Sequence, residues 1–215
     1  MTPQNQSKAI RAIAAQVNVI PIVVLDDAAH ARPLAEALVA GGLPVIEVTL
    51  RTPAALDAIR VMATVPGATV GAGTLLTPKD AHAAKVAGAQ FGVSPGCTPH
   101  LAEAVTIENL PLLPGAATAS EVMALWQHGY DVAKFFPAEM YGGTEALKSI
   151  GAPIPQVAFC PTGGVTSQNA PAYLRLANVM CVGGSWITPK DKIVAGDWAG
   201  IEALAREAAA LSPHE

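Results

Sequence analysis

The sequence predicts an α/β protein: a closed (β/α)8 TIM barrel of parallel strands and covering helices, in a single domain over residues 1–215 with a short N-terminal helix. Three observations carry this expectation. Short runs rich in Val, Ile, Phe and Gly alternate with Ala- and Leu-rich segments whose apolar positions recur at helical spacing. The strand candidates start at intervals of about 20 to 25 residues, the length of a strand, a helix and two short loops. The chain has 215 residues, 51% hydrophobic and only 14% charged, enough to bury one large core and too apolar for a disordered chain.

In chain order the strand candidates are 19–25, 44–50, 69–74, 91–94, 111–114, 132–136, 156–160 and 179–183. Eight such units suit a barrel. Helix starts are marked by Thr52-Pro53, Thr77-Pro78 and Thr98-Pro99, each placing a capping hydroxyl before a first-turn proline. Helix stops are expected at Gly41-Gly42, Gly67 and Gly88, where glycine supplies a left-handed cap. An open doubly wound sheet is the competing architecture. Its dinucleotide fingerprint is missing, because Gly71-Ala72-Gly73 runs on into Thr74, Leu75 and Leu76.

A net charge of -4 and scattered Lys and Arg residues leave no basic stripe for nucleic acid. Residues 1–11 lack the apolar centre of a signal peptide, and the longer apolar stretches are broken before spanning length. A cytoplasmic protein with no membrane contact is therefore expected. Cys97, Cys160 and Cys181 are few and far apart, without the paired spacing of zinc or redox sites. Cys160 and Cys181 read as buried strand thiols, whereas Cys97 opens a helix, where a thiol can be activated. His30, His82, His100, His128 and His214 show no ligand spacing, so no metal and no cofactor is called for.

In a barrel of this kind the chemistry sits at the C-terminal ends of the strands. The second candidate carries Glu47, Thr49 and Arg51 at the period of two that sends side chains to one face, with Val45 in the same parity. A polar mouth above a packed interior is one reading; a structural Glu47–Arg51 ion pair is the other. The sixth candidate holds Lys134 between Val132-Ala133 and Phe135-Phe136-Pro137. Burial there, with Arg51 as a cationic neighbour, would favour the neutral amine that attacks a ketone. A lysine snorkelling to solvent is the structural alternative. Glu139, just past the strand, reads as a solvated loop carboxylate.

Two late loops, Thr162-Gly163-Gly164 and Gly183-Gly184-Ser185, fall where barrel backbone amides cradle a phosphate, although each glycine pair alone also suits an ordinary tight turn. A phosphosugar isomerase or epimerase could share the fold and these loops without an imine, and so could a non-catalytic phosphosugar-binding protein.

Residues 45–52 (VIEVTLRT), 70–74 (VGAGT), 94–96 (SPG), 134–139 (KFFPAE), 160–164 (CPTGG) and 182–186 (VGGSW) closely resemble the bacterial 2-keto-3-deoxy-6-phosphogluconate (KDPG) aldolases, a family that also cleaves 2-keto-4-hydroxyglutarate (KHG). The resemblance runs in order over nearly the whole chain. It implies a class I aldolase on a (β/α)8 barrel, assembled as a homotrimer and acting on a small 2-keto acid that is phosphorylated. It places the Schiff-base lysine at Lys134, the general acid/base at Glu47 and the carboxylate partner at Arg51. Thr74 matches the threonine that contacts the keto acid, and Pro95 and Phe136 fall in the same segments as substrate-binding positions. Gly163, Gly164, Gly184 and Ser185 match the phosphate loops. The small-residue segment 114–118 leaves the width of that part of the pocket open.

Overall fold

Apolar runs flanked by helix-forming segments give parallel strands that are covered on both faces, because each crossover helix returns across the sheet. In the computed structural model, which describes residues 1–211, β1 (Val19–Val23) and β2 (Val45–Thr49) are buried along their whole length. They are followed by β3 (Thr69–Gly73), β4 (Phe91–Val93), β5 (Leu112–Leu113), β6 (Gly115–Ala116), β7 (Val132–Phe135), β8 (Ala158–Pro161) and β9 (Val182–Gly184). Every pair of neighbours is parallel, so all the strands end at one edge of the molecule.

The strands form two sheets, one in the order β5-β4-β3-β2-β1-β9 and one in the order β6-β7-β8. Together they make a curled parallel sheet. The expected strand at 111–114 is divided: β5 ends at Leu113 and β6 begins at Gly115, separated by Pro114, which has no N–H to give to a ladder. Pro114 still accepts a hydrogen bond from Lys134 N at 2.8 Å. The expected strand at 179–183 shifts towards the C-terminus, to β9. Single parallel bridges, Phe159 to Val179 and Thr162 to Gly183, join it to β8.

Around the sheets lie α1 (Pro3–Ala14), α2 (Ala31–Ala40), α3 (Ala55–Met62), α4 (Pro78–Val86), α5 (Pro99–Ile107), α6 (Ala119–His128), α7 (Gly143–Gly151), α8 (Ala170–Leu174), α9 (Lys190–Ala195) and α10 (Trp198–Ala209). Thr77 and Thr98 cap α4 and α5 as expected. Thr52 does not cap α3. Its hydroxyl donates instead to Leu25 O, tying the loop after β2 to the end of β1, and α3 begins only at Ala55. Gly41-Gly42 and Gly88 end α2 and α4, whereas Gly67 lies beyond the end of α3, in the turn that leads into β3. Among the described residues no helix is long and apolar enough to cross a membrane.

The core is aliphatic with a few rings in fixed places. Phe91 fills the space beside Gly71, where an added Cβ would lie 2.4 Å from the ring. Phe135 and Phe159 meet edge to face at 6.4 Å. Both strand cysteines are buried as expected: the Cys181 Sγ lies 3.6 Å from that of Cys160. This contact, with burial, pushes the Cys181 thiol well above its usual pKa. His214 lies outside the described residues.

Candidate active site

The period of two in β2 does what the sequence predicts: Glu47 and Thr49 are buried on one face, and Arg51 emerges exposed at the rim. Thr49 is a brace between them. Its hydroxyl donates to Val23 O at 3.0 Å and accepts from Arg51 Nε at 3.2 Å, so the guanidinium is anchored to the strand end. The Glu47–Arg51 ion pair, the structural alternative, is not what forms. Glu47 instead pairs with Lys134, with Nζ to Oε1 at 3.2 Å.

Lys134 reaches this position because β7 places it between Ala133 and Phe135, which are buried. It is 6% exposed and Glu47 is 3% exposed, so the lysine does not snorkel to solvent. The neighbour expected from the sequence was the cation Arg51; the actual partner is a carboxylate. Nζ also lies 5.3 Å from the centroid of the Phe136 ring, a cation–π distance. On the other side Gly73 lets Glu47 stand upright, since an added Cβ there would be 2.2 Å from Oε1.

Thr74 follows Gly73 with φ of 63°, in the left-handed region. That backbone is an outlier for a β-branched residue and marks a position held by its surroundings at a functional end of a strand. Glu47, Thr49, Arg51, Thr74, Pro95, Lys134 and Phe136 all line one cavity of about 250 Å³, together with Ile22 and Thr162. This is smaller than the roughly 300–1,000 Å³ that holds a drug-sized ligand, and it suits a small acid. Its polar groups are an amine, a carboxylate, a guanidinium and hydroxyls.

Thr162 and Ile22 were not singled out as site residues by the sequence reading. Thr162 was legible in principle, because it shares the parity of Cys160, which pairs in register with Lys134. Gly163, Gly164, Gly184 and Ser185 lie beside this cavity rather than in its lining, at the same strand ends, with the Thr162–Gly183 bridge joining their two loops. Ser185 is exposed. The two glycine pairs are required by the fold itself. Gly163 and Gly164 have φ of 97° and 78°, and a Cβ on Gly184 would lie 1.9 Å from the Trp186 ring.

Cys97 belongs elsewhere. It lines a separate cavity of about 130 Å³ with Thr98, His128 and Tyr130, and burial pushes its thiol up to about 11. A helix start therefore does not activate it. Among the described residues no three His, Cys, Asp or Glu side chains gather in a metal-holding group.

A buried amine beside a carboxylate, in an acid-sized cavity at the strand ends of a parallel α/β fold, defines the class of lysine-dependent, imine-forming enzymes. Comparison with known proteins narrows the class. The family model for KDPG and KHG aldolase matches residues 10–204. The KHG/KDPG aldolase of Escherichia coli strain K12 is 51% identical over 191 residues, 88% of this chain and 90% of that protein. Among solved structures, the KDPG aldolase of Zymomonas mobilis ZM4 with 3-phosphoglycerate superposes with a TM-score of 0.93 at 50% identity, covering 97% of this chain and 98% of the other. The KDPG aldolase of Legionella pneumophila, with pyruvate captured as a covalent carbinolamine, gives 0.90 at 46% identity, covering 93% and 98%. The chain belongs to the KDPG and KHG aldolase family.

Proposed function

We propose that this protein cleaves KDPG to pyruvate and glyceraldehyde 3-phosphate, and KHG to pyruvate and glyoxylate, through an imine on Lys134. The observation that carries the reading is the buried Lys134–Glu47 pair at 3.2 Å. Transfer of one proton from Nζ to the carboxylate leaves a neutral amine, which adds to the keto carbon. The carboxyl group returns that proton to the carbinolamine hydroxyl, which departs as water; Glu47 is ionised again, and the protonated imine draws electrons from the neighbouring bond. Glu47 then takes the proton of the 4-hydroxyl, the bond between carbons three and four breaks, and the aldehyde leaves. The enamine is protonated at carbon three, and hydrolysis returns pyruvate and the free lysine.

Arg51, braced by Thr49, is the partner of the substrate carboxylate, a role that a planar fork fills better than an ammonium. Thr74, Pro95, Phe136 and Thr162 shape the keto-acid end. Gly163, Gly164, Gly184 and Ser185 receive the phosphate beyond it. Two facts support this division: one relative was solved with 3-phosphoglycerate and another with covalent pyruvate. We also read the two sheets as one closed (β/α)8 barrel. Pro114 interrupts the ladder inside a single strand, and the bridges from β8 to Val179 and Gly183 span the other gap. A single-domain cytoplasmic homotrimer, free of metal and cofactor, completes the reading.

Borohydride trapping tests the nucleophile. Incubation with pyruvate and borohydride should add the reduced adduct to the peptide containing Lys134, and label on Lys148 or any other lysine would overturn the assignment. In the same assay Glu47→Gln should still trap pyruvate, only slowly, while turnover falls by about two to four orders of magnitude, the scale of positioned acid/base catalysis. Near-normal turnover would return Glu47 to a structural role.

A further inference from the structure

We infer that Glu139 and Tyr173 form a strap that holds the Gly163–Gly164 turn in its anion-receiving orientation, and so set the preference for a phosphorylated substrate over an unphosphorylated one. The inference rests on the phosphate-site reading above and assigns a positioning role to two residues that the mechanism does not use.

The strap begins with the backbone. Beyond β7 the chain turns through Glu139–Tyr141, and there Ala138 N donates to Thr162 O at 2.8 Å and Glu139 N to Gly163 O at 3.1 Å. Two successive carbonyls of the turn are thus tied towards the end of β7. Across a trans peptide the N–H points opposite to the C=O, so the Gly163 and Gly164 amides are directed away from β7. An anion site needs this polarity: carbonyls turned back and amides turned out.

The side chains lock it. Glu139 packs its stem against Gly164, where an added Cβ would lie 2.6 Å from both Cβ and Cγ of Glu139. The carboxylate accepts a hydrogen bond from Tyr173 on α8, and the Tyr173 side chain is fully buried. Glu139 is exposed, as the sequence suggests, but its carboxylate is held in place by Tyr173. Gly143 at the start of α7 closes the third side tightly: a Cβ would be 3.2 Å from the Tyr173 hydroxyl and 3.3 Å from Glu139 Oε1.

From the opposite flank Asn169 Nδ2 donates to Gly164 O at 3.1 Å, while its Oδ1 accepts from Thr166 N at 2.7 Å. The segment from Asn169 through α8 therefore grips the turn twice, once directly and once through Glu139. Burial, followed by the Glu139 carboxylate itself, pushes the Tyr173 hydroxyl far above the usual phenol range. It stays a donor at any working pH. The bond also has an electrostatic use, since a carboxylate released beside the turn would repel the phosphate it is meant to receive.

The test is steady-state kinetics on KDPG and KHG, with inorganic phosphate as a competing anion, for wild type, Tyr173→Phe, Glu139→Ala and Glu139→Gln. With the strap cut in Tyr173→Phe, KM for KDPG and the inhibition constant for phosphate should rise together by about tenfold, the scale of one hydrogen bond to a charged group. The kcat on either substrate and KM for KHG should stay within about twofold, by the same scale. Glu139→Ala should behave like Tyr173→Phe, and it keeps the test available if the buried tyrosine cannot be replaced. Glu139→Gln retains an acceptor for Tyr173 and should recover most of the selectivity. Equal losses on both substrates, or unchanged selectivity in all three variants while phosphate still inhibits wild type, would overturn the strap alone. No inhibition of wild type by phosphate, and no preference for KDPG over KHG, would overturn the phosphate-site reading and the strap with it.

Discussion

Gly73 separates two demands that usually fall on one residue, since it leaves room for the Glu47 carboxylate and also continues β3. Its register partner is Thr49, and an added methyl would lie 2.2 Å from Glu47 Oε1. The collision involves Oε1, Cγ and Cδ of the buried Glu47 side chain, at 2.2, 2.7 and 2.8 Å, so Gly73→Ala forces the whole carboxylate arm away from Lys134. The expected result is a loss of stability of about 1–3 kcal/mol, beside a fall in kcat of about tenfold to a hundredfold. Thermal melts and kinetics on one preparation check it; a kcat that does not change would mean that Glu47 need not stand where β2 holds it. Pyruvate trapping on Lys134 should survive, because the nucleophile itself is not displaced.

At the scale of elements, hydroxyl caps decide where helices begin, and the sequence displayed them unevenly. Thr77 and Thr98 were legible because a proline follows each. Thr118 has no proline after it, yet it caps α6 in a reciprocal box with Glu121, whose carboxylate accepts from Ala117 N and Thr118 N, each at 2.9 Å. Thr52 has the proline but lends its hydroxyl to Leu25, a partner 27 residues earlier that no local pattern can reveal. The same limit applies at the site. The face carrying Glu47, Thr49 and Arg51 follows from parity within one strand, whereas the Lys134–Glu47 pairing spans 87 residues and depends on how the strands curl together. The backbone bonds to Glu121, led by the one from Ala117, hold its carboxyl below the usual carboxylate range. A lowered folded-state pKa contributes stability that is present above the unfolded value and lost as pH falls through the folded one. Glu121→Gln should therefore lower Tm at pH 7 by about 1–3 °C, the effect of a few tenths to 1 kcal/mol in a chain of this size. The gap from wild type should close as pH drops below about 4.5, the ordinary value of a glutamate carboxyl. A gap of constant size from pH 7 to pH 3 would remove the charge from the explanation.

Across the whole molecule, the chemistry and the closure of the fold occupy opposite ends. Because every strand is parallel, Lys134, Glu47 and the glycine turns share the C-terminal edge, while α1 packs at the other, against β5 and the start of β7. Its inward face is half polar: Gln6 and Ser7 are buried, at 0% and 2% exposure, beside the apolar Ile10 and Ala14. Gln6 Oε1 accepts from Tyr130 OH at 3.0 Å and Leu112 N at 3.2 Å, and its Nε2 donates to Thr106 Oγ1 at 3.0 Å. Ser7 Oγ accepts from Asp131 N at 3.2 Å, and Arg11 Nε bonds both oxygens of Asp131 at 3.2 Å. One helix thus supplies the partners that the N-terminal ends of two strands would otherwise lack. Gln6→Leu would remove the acceptor and leave a buried phenol and a buried amide unpaired, at about 1–3 kcal/mol for each such group. The midpoint of urea unfolding should fall accordingly, and Tm should drop by about 5–10 °C. Turnover at 25 °C and pyruvate trapping on Lys134 should remain at wild-type levels, because no contact of Gln6 reaches the cavity. Loss of kcat in step with the loss of stability would show that the two ends are coupled, and the separation argued from the parallel sheet would have to be abandoned.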